Sequence, residues 1–310
     1  KLTSEGNKLT ESYIWIALLS ASTFGMVTVL DKRLASLNMP SLPAFYMGVV
    51  ISLISYGTIA FVMTGIPENI NLFNFIASGI SGICWGGALA MMFWGYKLEE
   101  ASRASAIIHT FPVFVAVLAV LFLGETLIIR QWIAILIVVA GAFTISVWGS
   151  HGGQIVRVNK ALPILLGASL FTALAMLSGK YALEELPVWF VYSVRNFGMG
   201  LVFVFLWRPG SFRVLFRALR NWQTFLLLFL AEFSLAPLAV LMNVTAISLG
   251  PVSLVSTITG TRPIFVFIFG TFLSTSRFRL LEEPLDPKTL TVKLISIVMI
   301  VVGIAILTLS

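Results

Sequence analysis

Apolar residues in this chain gather into blocks of about 20, divided by short polar or turn-forming stretches. A helix of about 20 residues crosses the roughly 30 Å hydrocarbon core of a bilayer. The blocks lack the strict two-residue alternation of membrane barrel strands, so the pattern predicts transmembrane helices. Ten are expected, at about 13–32, 42–64, 72–96, 102–123, 128–148, 161–182, 188–207, 222–247, 252–274 and 290–309. Between them fall turn and charge signals such as Gly65-Ile66-Pro67-Glu68, Glu184-Glu185-Leu186-Pro187 and Leu249-Gly250-Pro251. The stretch 1–11 is polar and lacks a cleavable signal pattern, which leaves 14–30 as the first span.

The pattern also occurs twice. Phe111-Pro112-Val113-Phe114 in the fourth block answers to Arg262-Pro263-Ile264-Phe265 in the ninth. Span 1 ends Asp31-Lys32-Arg33 where span 6 has Gly179-Lys180-Tyr181. Phe45-Tyr46 matches Val191-Tyr192, and Val139-Ala140-Gly141-Ala142 matches Val302-Gly303-Ile304-Ala305. The matches keep their order and divide the chain near Gly152-Gly153 into 1–150 and 151–310. Five spans per half force the second half to enter the membrane from the opposite side. The loops agree. Those after spans 7 and 9 hold Arg208, Arg213, Arg217, Arg220, Arg277, Arg279, Lys288 and Lys293, while their counterparts after spans 2 and 4 hold little beyond Arg130. Read by the positive-inside rule, these charges put both termini outside. The expected fold class is therefore an all-α integral membrane protein with ten transmembrane helices in two inverted-topology five-helix repeats.

Composition sharpens the picture. Only 11% of residues are charged, against about 25% in soluble domains. Too few charges remain to cover a water-facing surface, so lipid is the solvent. The net charge of +7 sits mostly in loops, where it orients the chain against anionic lipid, and nucleic acid is not an expected partner. The single cysteine, Cys84, excludes an internal disulfide and a cysteine-based zinc site. No G-x-x-x-x-G-K-[ST] loop is present, so ATP drive within the chain is not expected. With two histidines, one cysteine and scattered carboxylates, no catalytic constellation, metal site or cofactor is expected.

Pro112-Val113-Phe114, then Leu121-Phe122-Leu123-Gly124-Glu125, then Val139-Ala140-Gly141-Ala142, form an ordered set. It resembles the EamA family of the drug/metabolite transporter superfamily, and the resemblance covers essentially the whole chain. The resemblance implies two EamA-like five-helix repeats, a substrate cavity between them, and small polar metabolites, amino acids above all, often moved outward. It also implies cytoplasmic termini, against the loop charges. The second copy lacks the Gly-Glu of Gly124-Glu125, which leaves Glu125 without a duplicate.

An ionisable residue deep in a span costs about 2.5–3.5 kcal/mol on insertion scales, and usually faces a cavity or a partner. The candidates for substrate binding are His109, Lys180, Arg195, Glu232 and Arg262, with Tyr192 and Asn243 beside them. Glu232 and Asn243 stand three helical turns apart and share a face on a regular helix, with Ala236 and Ala239 between them. The competing reading pairs Glu232 with Arg195 or Arg262. His109 reads either as a proton-accepting group beside a cavity or as a neutral bonded core histidine. Arg262 and Arg195 suit a substrate carboxylate. Lys180 lies near a span end, where snorkelling competes with a cavity role. Glu125, also at a span end, reads best as a cap or a loop-pairing residue. Gly82 and Gly86 have the spacing of close helix packing.

These features favour a secondary transporter of amino acids or related zwitterions in the inner or plasma membrane, as monomer or homodimer, with a coupling proton as a candidate partner. The alternatives are an exchanger of organic phosphates or nucleotide sugars, and a membrane protein without transport activity.

Overall fold

The structure, a computed structural model, describes residues 2–98, 107–148, 161–274 and 287–308. Every regular element among them is helical. The order is α1 (Leu2–Arg33), α2 (Leu42–Thr64), α3 (Leu72–Leu98), α4 (Phe111–Phe122), α5 (Ile129–Trp148), α6 (Ala161–Leu183) and α7 (Val188–Phe205), then a short α8 (Ser211–Ala218). After it come α9 (Trp222–Leu228), α10 (Ala236–Leu249), α11 (Val252–Thr259), α12 (Arg262–Ser274) and α13 (Pro287–Thr308). Two π-helical segments interrupt the series: Leu34–Asn38 extends α1, and Phe229–Leu235 joins α9 to α10.

Seven helical stretches among the described residues are long and apolar enough to cross a membrane: Ser12–Asn38, Leu42–Thr64, Leu72–Tyr96, Leu162–Leu183, Val188–Phe205, Trp222–Leu249 and Val252–Gly270. Phe111–Phe122 and Ile129–Gly141 are shorter apolar helices. The ten expected spans thus meet seven that qualify by length and composition. The fourth falls short because its first residues, Ser102 and Ser105 among them, lie outside the described residues, as do Gly152-Gly153 and the loop 275–286. Large apolar side chains such as Val62, Ile129 and Phe205 stay exposed on the outside of the bundle, where only lipid can solvate them. The chain is a multi-pass integral membrane protein.

Packing follows the small residues. α3 runs against both α6 and α7. At the α3–α7 crossing a Cβ on Gly82 would stand 2.3 Å from the Arg195 carbonyl oxygen, and one on Gly198 would stand 3.0 Å from the Gly82 Cα. The two backbones touch, as the glycine spacing predicts. α2 packs on α7, α5 on α13, α1 on α10 and α12, and α4 on α6 and α11. The basic loop after α7 folds into α8, which buries Leu215 against the bundle while Phe212 and Phe216 stay exposed beside Arg213 and Arg217. That is the pattern of a helix lying in the membrane interface.

Candidate functional site

The site begins with a proline. Pro237 has no backbone N–H, and its ring crowds the carbonyl one turn back, at Phe233. The helix responds by widening over Phe229–Leu235, where the Ala236 N–H reaches back five residues to the Ala231 carbonyl. The freed carbonyls find partners on neighbouring helices. Ser52 of α2 donates to the Glu232 carbonyl, Tyr56 donates to that of Phe233 at 2.5 Å, and Tyr192 of α7 donates to that of Pro237 at 3.2 Å. Such π bulges recur at functional sites because they re-aim a side chain without ending the helix. Here the side chain is Glu232.

Glu232 lines a cavity of about 40 Å³ between α1, α2, α3, α7, α10 and α12. That volume admits no more than a few water molecules. Asp31 of α1 lines it too, so two carboxyl groups from different helices face one space. Both are almost fully buried, Asp31 at 3% exposure and Glu232 at 5%. Arg262, at the start of α12, lies within electrostatic range of Asp31 and packs its guanidinium 4.2 Å over the Phe24 ring. Thr28, Ser52 and Asn196 add polar lining, and Trp85, Met92 and Phe93 supply apolar walls.

A second, smaller cavity adjoins the first. It shares Trp85, Leu89, Met92 and Arg262 with it and adds His109, Phe111, Thr172 and Thr259. It lies beside two helix breaks. The chain turns tightly at His109-Thr110 before Pro112 and at Gly260-Thr261 before Pro263. The bonds at the breaks correspond. Thr110 N–H reaches Ile107 O and Val113 N–H reaches Thr110 O; Thr261 N–H reaches Ile258 O and Ile264 N–H reaches Thr261 O. The breaks also meet, since a Cβ on Gly260 would stand 2.8 Å from Pro112 Cγ.

The structure sorts the candidate residues. Glu232 and Arg262 line the first cavity; His109 and Arg262 line the second. Arg195 lines neither. It is 1% exposed, stacks 4.3 Å over the Trp85 ring, and none of its three side-chain nitrogens has a hydrogen-bond partner among the described residues. Tyr192 holds the Pro237 carbonyl from outside the cavity lining. Asn243 is buried but off the cavity, because the π turn shifts the helical phase between it and Glu232. Of the two alanines between them, Ala236 lines the cavity, while Ala239 accepts a hydrogen bond from Ser20 of α1. Lys180 donates to the carbonyls of Ile247 (3.0 Å) and Gly250 (2.9 Å), closing the C-terminus of α10. Glu125 accepts from the N–H groups of Val252 (2.7 Å) and Ser253 (3.3 Å) and from the Ser253 hydroxyl, capping α11.

Asp31 is the residue that sequence reasoning missed as a site candidate. It precedes Lys32 and Arg33, so it reads as the polar end of a span. Its signal was spacing: Phe24, Thr28 and Asp31 fall at i, i+4 and i+7, one helical face, and all three line the cavity. No group of three or more His, Cys, Asp or Glu that could hold a metal ion occurs among the described residues.

A polytopic helical bundle whose buried acids and guanidinium meet in a cavity between helices has the build of a membrane transporter. Residues 11–147 match the EamA-like transporter family. An uncharacterised transporter encoded in the cobO 3′ region of a Sinorhizobium species is 27% identical over 141 residues, which are 45% of this chain and all of the relative. A chain of known crystal structure shares the fold, with a TM-score of 0.65 at 16% identity over 98% of this chain and 97% of its own.

Proposed function

We propose that the chain carries a small zwitterion, an amino acid or close relative, outward across the cell membrane by alternating access between two inverted halves, 1–150 and 151–310. The observation behind the substrate class is the mixed charge of the main cavity. Asp31 and Glu232 suit an ammonium group, and Arg262 suits a carboxylate. Ten spans in two halves are supported by paired packing. α3 lies on α6 as α1 lies on α10, and α4 lies on α6 as α12 lies on α1. α2 meets its counterpart α7, and α5 meets α13. The corresponding turns at Thr110 and Thr261 fit the same duplication. A cavity this small fits an occluded conformation, from which one side must open to admit a metabolite.

An exchanger of organic phosphates fits less well, because two carboxyl groups line the space a phosphate would enter. Proteoliposomes tested with a radiolabelled amino-acid panel, and with phosphate in trans as a control, separate the readings. Flux of a panel member that falls in Arg262→Ala and Glu232→Gln is the expected result. Intact flux in both variants sinks the site assignment, and strict dependence on trans phosphate sinks the substrate class.

A further inference from the structure

We infer that α8 and the turn after it form a docking site for the headgroups of anionic phospholipids. Arg213, Arg217 and Arg220 hold the phosphates, and Phe212 and Phe216 enter the acyl region beside them.

The sequence sets up three faces. Arg213, Arg217 and Arg220 fall at i, i+4 and i+7, one stripe of a helix. Phe212 and Phe216 form a second stripe, and Ser211 and Leu215 a third. The structure uses each face differently. Ser211 and Leu215 are buried, while both phenylalanines and all three arginines are exposed. The backbone keeps turning past α8, with Arg220 N–H to Arg217 O at 3.4 Å and Asn221 N–H to Ala218 O at 3.1 Å, so the basic stripe runs on to Arg220. Trp207 and Trp222, both exposed, flank the segment as interfacial tryptophans do.

Nothing within the segment answers this charge. Arg208 joins the three, and no Asp or Glu occurs from 186 to 231. None of the four arginine side chains makes an ion pair among the described residues. Like charges one turn apart destabilise a helix, and an anion shared between them removes that cost. A leaflet of anionic phospholipid offers a plane of phosphates directly above apolar chains, which matches a basic stripe beside a phenylalanine stripe. A soluble anion would meet the arginines but leave Phe212 and Phe216 facing water.

The site serves one leaflet. The link after α2, Gly65 to Asn71, forms no helix and carries Glu68 without a base. The basic end of α1 lies on the α8 side instead. Arg33 Nε donates to Asn38 Oδ1 at 3.2 Å, and Asn38 Nδ2 donates to Thr224 Oγ1 at the start of α9 at 3.2 Å. The hold also reaches the cavity. Leu215 shares one buried apolar cluster with Leu30 of α1, Tyr46 of α2 and Ala231, the neighbour of Glu232. A lipid that fixes α8 therefore braces the helices that carry Asp31 and Glu232.

The test uses the purified full chain in a neutral detergent. Phosphatidylglycerol should raise the midpoint of thermal unfolding, and phosphatidylcholine with the same acyl chains should raise it much less. Replacing Arg213, Arg217 and Arg220 together by Gln should weaken phosphatidylglycerol binding about 100-fold, roughly fivefold per arginine. The same three positions as Lys should keep most of the effect, and Arg130→Gln should keep all of it. Sodium chloride at about 0.5 M should remove the phosphatidylglycerol shift from the unaltered chain, a measurement that needs no variant. Equal shifts from the two lipids, a shift that survives the three Gln replacements, or one that persists in high salt overturns the site. An equal shift from glycerol phosphate at the same concentration overturns the lipid as its occupant. None of these measurements uses a transported substrate, so their outcome is separate from the zwitterion reading.

Discussion

The carboxylate of Glu125 accepts the backbone N–H of Val252 at 2.7 Å, so a loop residue after α4 caps the start of α11. Gly124 makes the reach possible with φ of +65°, a left-handed turn that glycine takes without a Cβ penalty. Losing a helix N-cap costs about 0.5–2 kcal/mol. Glu125→Ala should therefore lower the midpoint of thermal unfolding measurably. Glu125→Gln, which keeps an acceptor oxygen, should lower it less. Equal midpoints for both variants and the unaltered chain would show that the cap is dispensable.

Gly260 and Pro112 define a second test. Any Cβ at 260 meets Pro112 Cγ at 2.8 Å, closer than unstrained contacts allow. Overpacking of this kind costs about 1–3 kcal/mol. Gly260→Ala should destabilise the protein, and adding Pro112→Ala should recover part of the loss. The double-mutant cycle reads the coupling directly. Strict additivity would mean that the two breaks do not lean on each other.

The two arginines should behave differently. Arg262 lines both cavities, and a hydrogen bond to a charged group is worth about 1.5–3 kcal/mol, or roughly 10- to 100-fold in affinity. Arg262→Ala should cut transport by about that factor. Arg195 is stacked on Trp85 outside the lining and has no hydrogen-bond partner among the described residues. Replacing a buried charge with an apolar residue of similar size is often neutral or stabilising. Arg195→Met should keep the thermal midpoint or raise it, with transport less affected than in Arg262→Ala. A reversed order of the two transport defects contradicts the placement of Arg195.

Pro237 is the cause of the wide turn that aims Glu232. Pro237→Ala restores the missing N–H and lets a regular helix form through Phe229–Leu235. The Ser52 and Tyr56 hydroxyls, which now donate to the Glu232 and Phe233 carbonyls, then lose those acceptors. The variant should fold yet transport poorly, because Glu232 rotates away from Asp31. Wild-type transport in this variant would show that the bulge does not set the site.

Much of this was legible in the chain, for reasons that can be named. Spans were readable because lipid demands long apolar runs with internally satisfied backbones. The glycine seam of α3 followed from local spacing, and the position of Glu125 at a span end pointed to a capping or loop-pairing role without naming its distant partner, the start of α11. Arg262 and Glu232 stood out because charge is costly within a span. Asp31 did not stand out, because Lys32 and Arg33 follow it and hydropathy alone cannot tell a buried acid from the first residue of a loop. Asn243 was placed on the Glu232 face by counting at 3.6 residues per turn, and the π segment broke that count. Lys180 was assigned to an interface or a cavity. Its partners, the carbonyls of Ile247 and Gly250, lie far along the chain, and only the fold brings them near.

Trp85, Leu89 and Met92 lie one turn apart on α3, and with Arg262 they form the wall between the two cavities. The partition is therefore one layer of side chains thick. A change of rotamer at the indole or its neighbours would reshape both spaces at once. Side-chain flips are faster by orders of magnitude than the helix motions that open a bundle to either side. The size of the chamber a substrate meets is thus set on a different clock from the side to which that chamber opens.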